Sequence, residues 1–249
     1  MQPTSKIVGV IPARMGATRL PGKPLRAIAG VPMIQRVYEG AVGCRQLDQV
    51  LVATDSTEIE AFCRERRIPV RMTSPDHASG TDRVWQVVEE LGADAAVNIQ
   101  GDEPMVRVEM IETLVATLFS RPEIEVASLF VRVGREEAQV PSACKVVVEA
   151  NGTALYFSRA AIPFPREGQP KYKKHLGYYG YSRRMLGAFH FWPTSELEQH
   201  ERLEQLRFLD HGVRIAMAET PFNTVGIDTP EDLAEVERLL TSGVSPEPR

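Results

Sequence analysis

Short apolar runs alternating with helix-period stripes constrain this chain more than any other feature. Ile7-Val8-Gly9-Val10-Ile11, closed by Pro12, reads as a strand buried on both faces. A helix is predicted over 31–43, with Met33, Ile34, Val37 and Ala41 on one stripe. Val50-Leu51-Val52-Ala53 is the next strand, followed by a helix over 57–67 that Asp55 or Ser56 can cap, and by a strand over 69–72. Val84, Val87, Val88 and Leu91 mark a helix over 81–91, residues 95–99 return as a strand, and a helix covers 108–120. This alternation predicts a three-layer α/β fold on a mostly parallel sheet.

The rhythm changes at 126–133, where strand-like segments begin to follow one another. Residues 145–149 and 153–157 flank Asn151-Gly152, a tight hairpin signal, so an antiparallel lobe is expected over about 126–193, inserted in a single domain spanning 1–249. Leu197, Leu203, Leu206 and Leu209 suggest one helix ending near Gly212, ahead of a strand over 214–218. Thr229-Pro230-Glu231-Asp232 looks like a capped start for a last helix, and the tail from Ser242 is expected to fray.

The net charge of −4 argues against a protein built on nucleic-acid backbone contacts, while leaving room for a local cationic site. The first apolar run is too short for a signal peptide or a membrane span, which points to a cytoplasmic protein without membrane insertion. Cys44, Cys63 and Cys144 are odd in number and far apart, so neither a disulfide framework nor a zinc site is indicated.

Two strand ends carry the chemistry. After the first strand comes Pro12-Ala13-Arg14-Met15-Gly16-Ala17-Thr18-Arg19-Leu20-Pro21-Gly22-Lys23-Pro24. Its glycines allow close backbone approach, and Arg14, Arg19 and Lys23 supply cations for a polyphosphate. The glycine spacing and Pro24 after Lys23 exclude a Walker loop. The strand at 95–99 runs into Gln100-Gly101-Asp102-Glu103-Pro104, where Asp102 is suited to Mg²⁺, which takes one or two carboxylates and completes its shell with phosphates and water. The same stretch also makes a turn by itself.

Asp228 precedes the last helix, where it can be a helix cap or a metal ligand. Ser79, before the helix at 81–91, can cap it or meet a nucleotide. Alternation in 173–181 puts His175, Gly177, Tyr179 and Tyr181 on one face, a possible wall for a polyhydroxylated acid. Arg159 can clamp a carboxylate or be an edge charge, and Glu204 and Gln205 fall on a leucine-striped helix.

The sequence resembles the CMP-KDO synthetases, the 3-deoxy-manno-octulosonate (KDO) cytidylyltransferases. The resemblance runs from about Ile7 to Leu240, through Ile-Pro-Ala-Arg and Arg-Leu-Pro-Gly-Lys-Pro-Leu near the start, Ser-Gly-Thr-Asp-Arg at 79–83 and Asn-Ile-Gln-Gly-Asp-Glu-Pro at 98–104. It continues in Ala-Leu-Tyr-Phe-Ser-Arg at 154–159, His-Leu-Gly-Tyr-Tyr-Gly-Tyr at 175–181, Leu-Glu-Gln-Leu-Arg at 203–207 and Gly-Ile-Asp-Thr-Pro-Glu-Asp-Leu at 226–233.

The resemblance implies a nucleotidyltransferase fold of the nucleotide-diphospho-sugar transferase type. It implies transfer of CMP from CTP to an acidic 3-deoxy sugar, a Mg²⁺ cofactor, a homodimer built partly through the lobe, and a cytoplasmic role in lipopolysaccharide synthesis. Lys23, Asp102 and Asp228 become catalytic, the last two as metal ligands, against the capping reading of Asp228. Ala13, Arg14, Lys23, Ser79, Arg83 and Gln100 fall on the nucleotide, and Arg159, His175, Tyr179, Glu204 and Gln205 on the sugar. The chain departs from the family pattern at residues 15–18, at Tyr178, at 195–198 and in the short basic stretch 165–174, which keeps an 8-amino variant of KDO in view. The alternatives are a cytidylyltransferase for a sialic-acid-type sugar, a metal-dependent glycosyltransferase, or a nucleotide sensor without turnover.

Overall fold

The computed structural model describes residues 5–16, 19–168 and 170–242; Ala17 and Thr18 of the cationic loop, Gln169 of the basic stretch and the tail after Ser242 lie outside them. The opening apolar run is β1 (Ile7–Ala13), in the interior of a mixed sheet. It is followed by β2 (Ala27–Ile28) and β3 (Val31–Pro32), which pair only with each other, and by α1 (Met33–Ala41). Then come β4 (Gln49–Thr54), α2 (Thr57–Glu65), β5 (Val70–Met72), α3 (Gly80–Leu91), β6 (Ala95–Asn98) and α4 (Val108–Leu118). β6, β1, β4 and β5 are parallel neighbours, the arrangement the alternation predicts.

The second half supplies β7 (Val126–Val133), α5 (Arg135–Ala138), β8 (Lys145–Val148), β9 (Ala154–Ser158), β10 (Tyr172–Ser182), α6 (Arg183–Phe191), α7 (Glu196–Glu201), α8 (Gln205–Asp210), β11 (Ile215–Glu219) and α9 (Pro230–Ser242). β10 runs antiparallel between β6 and β7, and β11 lies parallel to β7 at the edge. The sheet order is therefore β11-β7-β10-β6-β1-β4-β5, with β10 the reversed strand. Of the stretch 126–193, β7 and β10 are embedded in this sheet, whereas β8 and β9 form the Asn151-Gly152 hairpin, joined to β10 at Lys145 and Lys174.

Side-chain alternation along β1 divides the core into layers. Ile7 and Ile11 face a cluster with Ile34 and Val37 of α1, Ile59 of α2 and Met110 of α4. Val8 and Val10 face the opposite cluster, with Val84 and Val88 of α3, Leu186 of α6 and Phe208 of α8. A satellite cluster ties Leu20, Ile28 and Met33 to Ile227 and to Val236 of α9. Burying such side chains stabilises by about 1.5–3 kcal/mol each.

Two expectations need correction. The leucine stripe over 197–209 does not form one helix, because Arg202 at φ 55° breaks it into α7 and α8. The break frees two carbonyls: Arg159 donates Nε to Glu201 O at 2.7 Å and Nη2 to Arg202 O at 3.2 Å. The stretch 183–191, expected inside the antiparallel lobe, is the helix α6; Ser182 caps it, and Met185, Leu186 and Phe189 are buried. No helix among the described residues is long and apolar enough to cross a membrane.

Candidate active site

The strand ends at the sheet's switch point open into two connected spaces. A recess of about 410 Å³ is lined by Ala13, Arg14, Lys23, Ser79, Arg83, Gln100, Asp102 and Asp228, among others. It contains every residue assigned above to the nucleotide or the metal. A larger cleft of about 2140 Å³ is lined by Arg159, His175, Tyr179, Glu204 and Gln205, among others, which are the residues assigned to the sugar. Gln100, Glu204 and Asp228 line both spaces, so the two groups of residues share a boundary.

Local backbone chemistry puts Lys23 and Asp102 there. Gly22 takes a left-handed conformation at φ 69° immediately before the turn of 3₁₀ helix at Lys23–Leu25, with Pro24 inside it. Gly101 is required by close approach: a Cβ there would stand 2.7 Å from the Pro12 carbonyl oxygen, so a side chain would push Asp102 away from the end of β1.

Lys23 Nζ donates to Asp102 Oδ2 at 2.7 Å, to Asp228 Oδ1 at 3.1 Å and to the Ile227 carbonyl at 2.8 Å. Arg19 Nη2 reaches Asp228 Oδ2 at 3.0 Å. Burial alone would lower the Lys23 pKa, but Asp102 and then Asp228 outweigh it and hold the ammonium above the ordinary lysine range. Burial likewise opposes ionisation of Asp228, and Lys23 followed by Arg19 overrides it and keeps the carboxyl below the usual range. The Asp228 side chain does not cap α9: Thr229 Oγ1 accepts from Asp232 N at 3.2 Å and Asp232 Oδ2 from Thr229 N at 2.9 Å. The capping reading therefore belongs to Thr229.

Several other residues lining the recess have their polar groups engaged within the protein. Ser79 caps α3 in a reciprocal box with Asp82. Arg83, 4% exposed, donates to Asp55 Oδ2 at 2.9 Å and to Thr73. Arg14 is exposed at the rim, and Gln100 Nε2 donates to the Gly177 carbonyl at 3.0 Å.

The wall of the cleft formed by β10 carries the rings of His175, Tyr179 and Tyr181, while charged side chains such as Arg135, Glu137, Arg159 and Glu204 line other parts of it. A bulge between Leu176 and Tyr179 adds residues to β10 without reversing the faces, so His175, Tyr179 and Tyr181 pair with Phe130, Ser128 and Val126 and share one side. Burial pushes the His175 pKa down to about 3. Its Nε2 lies 2.9 Å from Ser128 Oγ, whose own proton can reach the Tyr178 carbonyl at 2.9 Å. That network assigns the proton to Nε2 and leaves Nδ1 as an acceptor. Glu204 accepts from Thr81 Oγ1 at 2.8 Å, and burial raises its pKa. Gln205 Nε2 contacts Cys144 Sγ at 3.6 Å. The guanidinium of Arg159 donates to the carbonyls of Pro141, Glu201 and Arg202.

Sequence reasoning missed one pairing and two participants. Arg19 stood in the cationic loop without a partner assigned. Asn98, at the end of β6, has a buried Oδ1 with no hydrogen-bond partner among the described residues and lines the cleft. Glu103 was visible only as the neighbour of Asp102, and nothing in one-dimensional spacing says which way it points.

The pattern of the cytidylyltransferase family matches residues 8–215. A 3-deoxy-manno-octulosonate cytidylyltransferase of Acidobacterium capsulatum is 50% identical over 236 residues, covering 94% of this chain and 96% of that protein. The protein of that name in Escherichia coli is 44% identical over 237 residues, covering 95% and 96%. Among solved structures, a CMP:2-keto-3-deoxy-manno-octonic acid synthetase complexed with CTP superposes with a TM-score of 0.91 at 43% identity, over 96% of this chain and all of that one. A cytidylyltransferase from Leptospira borgpetersenii, 17% identical with a TM-score of 0.63 over 97% and 89%, shares the fold.

Proposed function

The chain belongs to the 3-deoxy-manno-octulosonate cytidylyltransferases, and from that premise we propose that it transfers CMP from CTP to the anomeric hydroxyl of KDO, releasing pyrophosphate. The observation that carries this reading is the shared boundary at Gln100, Glu204 and Asp228 between a cation-bearing recess and a polar, aromatic cleft. The sugar oxygen attacks the α-phosphorus as the bond to the leaving pyrophosphate breaks, and the hydroxyl proton is released to solvent. Arg14, Arg19 and Lys23 offset charge on the triphosphate and the departing group. On the sugar side, His175 Nδ1 is an acceptor for a hydroxyl, and Arg159 supplies positive charge for the carboxylate.

Asp102 and Asp228 fit a divalent cation. Both present oxygen to one positive centre, the Lys23 ammonium, which stands between them as a cation of the protein's own. Mg²⁺ requires hard oxygen donors and takes few carboxylates when phosphates are present. Such an ion would supply positive charge at the phosphates and acidify a bound hydroxyl. His175, held neutral by burial, is an orienting group rather than a base.

The activity serves lipopolysaccharide synthesis in the cytoplasm in this reading. A homodimer through the hairpin lobe is supported by Leu155 on β9 and Phe164, which are 59% and 84% exposed. The deciding experiment incubates purified protein with Mg²⁺, CTP or UTP, and each of KDO, 8-amino-KDO and a sialic acid, and measures pyrophosphate and CMP-sugar. CTP-dependent turnover of KDO is expected; turnover of sialic acid alone overturns the substrate, and absence of pyrophosphate with every sugar overturns the reaction.

A further inference from the structure

Asp102 and Glu103 are consecutive carboxylates with different partners. Asp102 meets Lys23, whereas Glu103 accepts from the hydroxyl of Thr224, on the segment leading to Asp228. Glu103 is wedged between two glycines: a Cβ on Gly177 of β10 would lie 3.6 Å from its Oε1, and one on Gly226 would lie 3.9 Å from its Cγ. The buried Tyr178 hydroxyl neighbours Glu103 and Thr224 without a hydrogen bond of good geometry to either.

Thr224 is gripped from its other side too. Lys174 Nζ donates to the Thr224 carbonyl at 2.9 Å, to Asn223 Oδ1 at 2.9 Å and to Glu137 Oε1 at 2.8 Å. Those bonds use all three ammonium protons of Lys174, which also lines the cleft. Further along, Ile227 N donates to the Asp102 carbonyl at 2.9 Å. The segment that presents Asp228 is thus fixed to the β6 end and to β10 before it reaches the reaction centre.

We propose that Glu103, Thr224 and Lys174 form a strut that sets the separation of Asp228 from Asp102, as positioning residues for the metal-binding pair. This rests on the reading of Asp102 and Asp228 as ligands of a divalent cation. Mg²⁺ demands near-ideal octahedral geometry, and residues that orient metal ligands typically contribute about 10–100-fold to affinity. A carboxylate that drifts when its segment is released loses affinity without any change in the donor set.

The test uses Thr224→Val, which keeps the shape and removes the hydroxyl, Thr224→Ser, which restores it, and Lys174→Met, which releases the carbonyl side. Two quantities are measured: Mn²⁺ affinity in the presence of CTP without sugar, by electron paramagnetic resonance, and hydrogen exchange of the Ile227 amide. Thr224→Val and Lys174→Met should each weaken Mn²⁺ binding about tenfold or more and speed exchange, with Thr224→Ser within about twofold of the parent. Parental Mn²⁺ affinity and exchange in both Thr224→Val and Lys174→Met overturn the strut. Asp228→Asn separates the two readings. If it leaves Mn²⁺ binding intact, the metal assignment fails, and the exchange data alone decide whether the strut holds the segment. If it abolishes binding while the strut variants bind normally, the strut fails and the metal assignment stands.

Discussion

The recess and the cleft wall meet at Gln100, yet they are held by opposite physics. In the recess, the chemistry is in charged groups on loops far apart in sequence: Lys23 meets Asp102 across 79 residues and Asp228 across 205. In the cleft wall, β10 places His175, Tyr179 and Tyr181 by strand register, and burial makes the histidine neutral. Charge that must respond to a polyphosphate stays partly open to water, with Asp228 half-exposed, while a surface that recognises hydroxyls can be built like a core. In the proposed reading, the recess supplies transition-state charge and the wall supplies orientation.

The sharpest way to break that division is at the carboxylates. Asp102→Asn and Asp228→Asn should each lower turnover about 100-fold or more and raise the Mg²⁺ needed for half-maximal rate. The double variant should be little worse than either single one, because groups acting on one ion are not additive. Near-parental turnover in Asp228→Asn, read from pyrophosphate release, would remove the recess from the chemistry.

Lys23→Met should reduce turnover about tenfold or more while the protein stays folded. It also leaves the two carboxylates facing each other without the ammonium. Added Mg²⁺ should therefore raise the melting temperature of the variant more than that of the parent, and equal shifts would mean that ammonium and metal do not share those oxygens.

The wall is probed by acid rather than by kinetics. His175 has an ordinary pKa of 6.5 and a folded value of about 3, so below pH 6.5 the unfolded chain binds a proton that the folded chain refuses. Stability from this group is complete above pH 6.5 and is lost as pH falls toward 3, at up to about 1.4 kcal/mol per pH unit. Urea midpoints at pH 7 and pH 5 should show a loss of about 2 kcal/mol that His175→Gln lacks. Parallel losses in both proteins would place a protonatable histidine in the wall.

The smallest expected effect is at Ser79→Ala, where loss of the α3 cap should cost about 1 kcal/mol in thermal or urea unfolding. The KM for CTP should change by no more than about twofold, since the hydroxyl is engaged with Asp82. A larger KM effect without loss of stability would move Ser79 from the scaffold to the ligand surface.

How much was legible follows the same divide. Elements ruled by local periodicity, such as β1, β4, α3 and α4, are read within a few residues, because their apolar stripes are set by neighbours in sequence. The break at Arg202 was not legible: the leucine spacing continues across it, and the demand for free carbonyls comes from Arg159, 43 residues away. The helix α6 lay hidden after the aromatic strand, although Met185, Leu186 and Phe189 have helical spacing. At the site, residue types pointed to Lys23 and Asp102 and the family resemblance to Asp228, but the contrast between Asp102 and Glu103 required the positions of Gly177, Gly226 and Thr224.

The span from Lys23 to Asp228 also has a kinetic consequence. The sheet is complete once β11 joins β7, but the reaction centre also needs the later segment that packs Ile227 against Leu20 and Ile28. Contacts between residues so far apart in sequence form slowly, because a long loop must close before they return any stabilisation. In refolding from denaturant, far-ultraviolet ellipticity should therefore recover ahead of CTP turnover, making catalysis a late reporter of folding.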